Sequence, residues 1–219
     1  MRAARIVLPA FTVAIAACAD LSPGPGEAAG ANMNRYVAIG SSLSMGVESD
    51  GVTAASQRAA WPAVMAAEAG LLFGLPLIGA PGCKPPLAAP LANFRRVDNS
   101  AATDNSTCSP NEAGFTLPEQ NVAISGATAA NAVTTTIAQA SNNPLYARVL
   151  ATGQTQLSAM RSMNPTFVSV ELGANELLPA LNGLVSAATP VNNFTSSYNS
   201  VVTGVRNSGA QALLALLPT

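Results

Sequence analysis

Histidine is absent from the 219 residues of this chain. Without an imidazole, the chain lacks the side chain that most often serves as a general base near neutral pH. Charged residues are also scarce: they make up 10% of the chain, against roughly 25% in an average domain, and the net charge is −1. No basic cluster is available to bind phosphate, so nucleic acid is not an expected partner.

Cysteine is nearly as rare, with three in the chain. Cys18 lies in the N-terminal segment, which leaves Cys83 and Cys108 in one polar, proline-rich region. In an oxidising compartment this arrangement predicts a disulfide, which would close about 25 residues and stabilise the fold by roughly 3 kcal/mol. Two thiols without histidine or a CxxC spacing cannot build a tetrahedral zinc shell, and no metal or other cofactor is expected.

The N-terminal segment has the features of an export signal. Two arginines precede an apolar run at residues 6–17, about a dozen residues long and well short of the ~20 that span a bilayer. The run ends in Ile-Ala-Ala-Cys, which resembles the bacterial lipobox, in which the cysteine is acylated and becomes the mature N-terminus. We therefore expect residues 1–18 to be a lipoprotein signal, with Cys18 lipidated and the protein anchored to a membrane of the bacterial cell envelope. Cleavage of an ordinary signal peptide nearby, with Cys18 incidental, is the alternative.

Most of the remaining sequence alternates between strand-like and helix-like segments. Residues 19–34, rich in Pro, Gly and Ala, predict a flexible tether, and residues 35–219 one domain. Short apolar runs predict strands at 35–40, 120–125, 165–172 and 210–217. Helical spacing predicts helices at 56–72, 127–140, 176–187 and 191–207, with one or two more in 145–163, whereas 73–118 reads as an irregular surface excursion pinned by the disulfide. Such alternation implies a parallel sheet with both faces covered, whose functional groups lie where strands end.

Three predicted strands are followed by residues suited to ester chemistry. The run Gly40-Ser41-Ser42-Leu43-Ser44 places Ser42 on a tight strand-to-helix turn, where helix-opening amides face any anion formed there. Gly126 follows the second strand and Asn175 the third. A free backbone N–H and an amide side chain are the donors that an oxyanion hole requires. Taken singly, each has a simpler interpretation: a capped turn at Ser42, a turn glycine at Gly126 and a helix cap at Asn175.

The order of these segments resembles the first three blocks of the SGNH (GDSL-type) hydrolases. On this resemblance, which spans residues 36–218, Ser42 matches the nucleophile, Gly126 the backbone oxyanion donor and Asn175 the side-chain donor. The resemblance implies a three-layer α/β/α, flavodoxin-like domain that hydrolyses esters or thioesters through an acyl-enzyme, as a carboxylesterase or lipase-like enzyme. A small-molecule, lipid or acetylated-glycan ester is the expected substrate, and the protein is expected to be a monomer.

The sequence departs from the family pattern at three places. Ser41 and Glu176 stand where the family usually has Asp, and nothing matches the DxxH block that supplies the base and its orienting acid. We therefore expect a domain that is truncated before that block and inactive as it stands. The missing histidine and Ser41 favour an alternative, a non-catalytic envelope lipoprotein that binds a glycan or a protein partner. A nucleotide-binding flavodoxin-like domain is disfavoured, because the first loop has one glycine before its serines and no lysine to meet phosphate.

Overall fold

The computed structural model describes residues 30–140 and 142–215. The predicted signal segment, the predicted lipidation site Cys18, most of the predicted tether and the end of the fourth predicted strand lie outside the described residues. Among the helices that are described, none combines the length and the hydropathy needed to cross a bilayer.

Three parallel strands form the centre of the domain. They are β1 (Tyr36–Gly40), β2 (Phe167–Glu171) and β3 (Gln211–Ala215), in the order β1-β2-β3. The register pairs Gly40 with Glu171, and Glu171 with Ala215. β1 and β2 are buried along their whole length, as near-continuous apolar runs in a parallel sheet should be. The domain is therefore of the predicted α/β type with a parallel sheet.

The second predicted strand, at residues 120–125, is not a strand in the structure. The segment runs parallel to β1 but makes a single bridge, between Asn121 and Ala38. The backbone N–H groups of Val122 and Ile124 donate to the carbonyl oxygens of Ala38 and Gly40 at 2.9 and 3.1 Å, but the carbonyl oxygen of Val122 accepts from Gln156 Nε2 at 2.7 Å instead of from β1. Side-chain bonds of this kind compete with strand pairing. The prediction of a strand was wrong, although the segment still lies beside β1.

Eight α-helices surround these strands in the described residues. They are α1 (Ser42–Met45), α2 (Ala54–Ala59), α3 (Trp61–Glu68), α4 (Ala129–Thr134), α5 (Tyr146–Val149), α6 (Gln156–Ser162), α7 (Ala174–Leu181) and α8 (Val191–Asn207), with 3-10 turns at Leu91–Asn93 and Val185–Ala187. Three of them begin at a threonine cap (Thr53, Thr128 and Thr155), whose hydroxyl accepts the backbone N–H three residues on.

Three predicted helices differ from the structure. The helix expected at 176–187 is α7, which begins at Ala174 and ends at Leu181, and residues 185–187 form a separate 3-10 turn. The helix expected at 56–72 is divided into α2 and α3 at Ala60, whose backbone is extended. Pro62 explains the division, because it has no N–H to donate and its ring would clash with the carbonyl of Arg58 in a continuous helix. The helix expected at 127–140 is confined to α4, which ends when Thr135 becomes extended.

Helices pack on both faces of the sheet. One face of the sheet packs against Ala66 of α3 through Tyr36, Ala38 and Phe167. The alternating residues on the other side belong to the larger core, which also contains residues of α4, α6 and α8. The strand residues of that core are Val37, Ile39, Val168 and Val170.

The long excursion after α3 is held by a disulfide and a buried arginine. Cys83 and Cys108 are bonded, with their Cα atoms 3.8 Å apart, which confirms the predicted pairing. Arg96 is 1% exposed and donates to the carbonyl oxygen of Pro85 at 2.7 Å and to Asp50 at 2.9 Å. Burial tends to raise the pKa of Asp50, but hydrogen bonds from Lys84 and Arg96 outweigh it and hold that pKa below its ordinary value. The excursion is therefore irregular in backbone but firmly tied.

Candidate active site

Ser42 lies at the point where β1 gives way to α1. A side chain at Gly40 would overlap the Ser44 hydroxyl, so only glycine allows the chain to turn this tightly. The short helix ends at Gly46, which has a φ of 87° and whose N–H donates to the carbonyl oxygen of Ser42 at 3.1 Å. Ser42 is thus presented by one helical turn at the carboxyl end of a buried strand.

A buried carboxyl group, that of Glu171, holds this turn in place. Glu171 is the last residue of β2 and is 7% exposed. It accepts from the hydroxyl of Ser41 at 2.9 Å and from the backbone N–H groups of Ser41 and Ser44 at 3.0 and 3.2 Å. The Ser44 hydroxyl also donates to it at 3.1 Å and accepts from Trp61 Nε1 at 3.1 Å. The residues on either side of Ser42 are therefore fixed by β2 and α3.

The same contacts leave Ser42 free. Neither its hydroxyl nor its backbone N–H bonds to another described residue, and its side chain is only partly buried. Glu171 occupies the amides of Ser41 and Ser44, so the amides of Ser42 and Leu43 remain available to a bound group. A free hydroxyl beside a free amide is the arrangement expected of a serine nucleophile that also contributes to an oxyanion hole.

Gly126 forms a turn beyond the segment that runs along β1. Its φ of +82° is left-handed, and a Cβ there would meet only Asn143 Nδ2, at 3.8 Å. Glycine is therefore favoured by backbone conformation rather than by lack of space. The turn is closed by Ala127, whose N–H donates to Ile124 at 3.0 Å, and Gly126 is exposed with its N–H bonded to no other described residue.

Asn175 lies in the first turn of α7, just after Gly173. The helix cap is Gly173, so the simpler interpretation of Asn175 as a helix cap is wrong. Its Nδ2 instead donates to the carbonyl oxygen of Ala127 at 2.8 Å, which places the amide beside the Gly126 turn and leaves its second proton available.

Hydrogen bonds join all three segments at the carboxyl edge of the sheet. Ile124 N–H donates to the carbonyl oxygen of Gly40 at 3.1 Å, Glu171 holds the Ser42 turn, and Asn175 binds the residue after Gly126. The described structure thus brings the nucleophile turn and both candidate oxyanion donors to one region of the molecule.

The described residues place no base on Ser42. Glu171 is engaged with Ser41 and Ser44, and Glu176, which is 3% exposed, accepts from the backbone N–H of Ala129 at 2.6 Å. No group of three or more potential metal ligands occurs in the part of the chain that the structure describes.

A cavity of about 330 Å³, lined by both polar and apolar residues, lies on the Gly126 side of this region. Its lining includes the side chains of Lys84, Asn105, Thr107, Ser125 and Asn143. Asn143 also donates to the carbonyl oxygen of Ser125 at 2.9 Å, so the cavity and the Gly126 turn share a wall. Amide, hydroxyl and ammonium groups of this kind suit a hydroxyl-rich ligand.

Sequence reasoning missed Glu171 and Trp61 as parts of the site. The signal for Glu171 was an acidic residue at the end of an otherwise uncharged buried strand, since a buried carboxyl group needs partners. Trp61 gave no comparable signal, because its helical spacing fitted a core residue.

Comparison of the chain with protein-family models, with curated proteins and with solved structures gives no match.

Proposed function

We infer that this chain carries the nucleophile and oxyanion donors of a serine ester hydrolase with the SGNH-type three-layer fold. One observation carries the proposal: a network from β2 and α3 binds the residues on both sides of Ser42 and leaves its hydroxyl and amide free. The bond from Asn175 to the turn beyond Gly126 supports the assignment of those two residues as oxyanion donors.

In the proposed reaction, Ser42 Oγ forms a bond to the acyl carbon of an ester and gives its proton to a base. The carbonyl oxygen becomes an oxyanion that accepts from the amides of Ser42 and Gly126 and from Asn175 Nδ2, each donor contributing roughly 10²–10³ in rate. Collapse of this intermediate breaks the ester C–O bond and releases the alcohol. Water then hydrolyses the acyl-serine and releases the acid.

The rate of this reaction is limited by the removal of the Ser42 proton. Because the 219 residues contain no histidine, activation of Ser42 falls to solvent, and the oxyanion donors alone would support about 10³–10⁴ over the rate in water. Hydroxide accepts the Ser42 proton in place of an imidazole. Its concentration rises with pH, so the reactivity of Ser42 should increase with pH.

The setting that we propose is the bacterial cell envelope. The lipobox-like sequence at Cys18 supports a lipid anchor, and the few charged residues suit an exported protein. Esters of small molecules, of lipids or of acetylated glycans are the candidate substrates, acted on by a monomer.

A fluorophosphonate probe, which phosphonylates activated serines with loss of fluoride, tests the proposal. Intact mass and peptide mapping should locate the label on Ser42, with a rate that rises between pH 7 and pH 10. Ser42→Ala should remove the label, and Ser196→Ala, at an exposed position of α8, should keep it. Label at another serine, or none at pH 10, would contradict the proposal.

The alternative of a non-catalytic glycan-binding lipoprotein draws support from the amide and hydroxyl groups that line the cavity beside Gly126. On that alternative, soluble acetylated oligosaccharides should shift the NMR signals of Asn105 and Asn143, and Ser42 should resist the probe at every pH. Labelling of Ser42 with no response of the cavity would favour the hydrolase.

A further inference from the structure

A second cavity lies between the start of α7 and the first turns of α8. Its volume is about 320 Å³, near the lower end of the usual range for small-molecule sites. Its apolar lining includes Leu172, Leu177, Val191 and Phe194. We call it the α7–α8 cavity.

Two buried polar atoms belong to residues that line the α7–α8 cavity and have no partner among the described residues. One is Oε2 of Glu176, whose other carboxyl oxygen binds the N–H of Ala129. The second is the hydroxyl of Tyr198. Burial raises the pKa of the Tyr198 hydroxyl above its ordinary value, so the group keeps its proton. Buried polar groups are almost always hydrogen-bonded, and two unpartnered ones lining one cavity point to a ligand.

The chemistry of the two atoms selects the head group of that ligand. Glu176 Oε2 offers an acceptor, and Tyr198 offers a proton. A hydroxyl group carries one proton and two lone pairs, so it can donate to the carboxyl oxygen and accept from the tyrosine. An ammonium group has no lone pair for the tyrosine proton, and a carboxylate has no proton for Glu176.

The apolar part of the ligand is inferred from the lining of the α7–α8 cavity and from the surrounding sequence. Residues 177–205 contain no charged side chain, so this stretch offers no charged partner to a second polar group on the ligand. We propose that the α7–α8 cavity binds a small aliphatic alcohol, with its hydroxyl between Glu176 and Tyr198 and its alkyl body against the leucines. Binding requires no chemistry at Ser42 and so goes beyond the hydrolase function, although an alcohol is one product of ester hydrolysis.

Three ligands of matched length test this site: 1-hexanol, 1-methoxypentane, which has the oxygen without the proton, and n-hexylammonium. Each is titrated into the protein while the methyl NMR signals of Leu172, Leu177 and Val191 are followed. We expect 1-hexanol to bind about fivefold more tightly than the ether, the usual effect of one neutral hydrogen bond. Equal affinities for the alcohol and the ether, tighter binding of the ammonium, or no binding at all would each overturn the proposal.

Substitutions locate the binding. Tyr198→Phe should weaken 1-hexanol and the ether alike, each about fivefold, because both ligands carry the oxygen that accepts the tyrosine proton. Val191 lies at the rim of the α7–α8 cavity and is 76% exposed. Val191→Trp should close the cavity and abolish the changes that 1-hexanol causes in the methyl NMR signals. Val64→Trp, at a half-exposed position of α3 on the other face of the sheet, is the matched control and should bind normally. Unchanged binding by Val191→Trp would place the alcohol elsewhere and overturn the proposal.

The titrations are repeated with Ser42→Ala, which separates this site from the hydrolase proposal. The alcohol site predicts the same affinity in that variant. A protein whose Ser42 resists the fluorophosphonate but which binds 1-hexanol as described would retain the alcohol site and lose the hydrolase function.

Discussion

Among single residues, Glu171 does most to shape the candidate site. One carboxyl group accepts four hydrogen bonds from Ser41 and Ser44, residues that lie 127 to 130 positions earlier in the chain. A carboxyl group buried without partners would be strongly destabilising, so the acidic residue and the two serines depend on one another. Ser41 supplies two of the four donors.

Replacing Glu171 tests this dependence. Glu171→Ala leaves two backbone N–H groups and two hydroxyls without their acceptor, and we expect the free energy of unfolding to fall by about 3 kcal/mol. Glu171→Gln keeps an acceptor oxygen and should lose about 1 kcal/mol. Urea denaturation measures both values. Glu112→Gln is the control, because the Arg58–Glu112 pair is exposed and should change stability by less than about 0.5 kcal/mol. An alanine variant as stable as the wild type would show that the network contributes little.

The same substitutions bear on Ser42. If Glu171 fixes the turn, phosphonylation of Ser42 at pH 10 should slow by about tenfold or more in Glu171→Ala, because the hydroxyl and its amide no longer keep their relative positions. The Gln variant should recover most of the rate, and Glu112→Gln all of it. Equal labelling of the wild type and Glu171→Ala would mean that the turn holds its shape without the carboxyl group.

At the scale of elements, the sequence predicted the three strands better than the segments between them, although β3 is largely exposed in the structure. β1, β2 and β3 are apolar runs whose period and length identify them without tertiary information. The segment at 120–125 looks the same in sequence, but the Gln156 side chain binds the carbonyl oxygen of Val122 in place of a ladder bond to β1. Gln156 lies 34 residues from Val122, so no local pattern could reveal this bond.

The site was predictable to a similar extent. Parallel strands end at one edge, so Ser42, Gly126 and Asn175 were expected to lie together there. The partners that hold them could not be predicted, because each comes from another element: Glu171 from β2, and the Ala127 carbonyl from the turn before α4.

The excursion after α3 gives a prediction for the disulfide. The bond between Cys83 and Cys108 closes a separation of 25 residues, so Cys83→Ser with Cys108→Ser should lower the free energy of unfolding by roughly 3 kcal/mol. Chemical denaturation with and without a thiol reductant measures the effect. Reduction should shift the wild type to the midpoint of the double variant and leave the variant unchanged. A wild type that is insensitive to reductant would contradict the expected contribution.

For the whole molecule, the distribution of titratable groups predicts how stability depends on pH. The chain has no histidine, the side chain that ordinarily titrates between pH 5 and pH 8, so the free energy of unfolding should change little from pH 6 to pH 8. The comparison uses buffers without imidazole at constant ionic strength, so that salt screens the charges equally at every pH.

Acid should destabilise the protein through its aspartates. In Asp98 and Asp104, hydrogen bonds from the hydroxyls of Ser100 and Ser106 lower the pKa, and in Asp50 the bonds from Lys84 and Arg96 do so against the effect of burial. A carboxyl group whose pKa is lowered by folding stabilises the fold above its unfolded pKa, near 3.9 for Asp, and that stability is lost as pH falls through the folded pKa. Glu119 acts in the opposite direction, because burial raises its pKa.

The fold lowers the pKa of three carboxyl groups and raises the pKa of one. This balance predicts a net loss of stability below about pH 4. Asp50 is the most informative of them, because its partner Arg96 is buried and would lose its only described carboxylate. Asp50→Asn should therefore lower stability at pH 7 more than at pH 3, and the two pH profiles should converge in acid. Urea midpoints of the wild type and Asp50→Asn between pH 3 and pH 8 measure this convergence. Asp98→Asn, which leaves no buried cation behind, is the control and should show a smaller difference at pH 7. A difference between wild type and Asp50→Asn that stays constant across this range would mean that Asp50 acts through its shape rather than its charge.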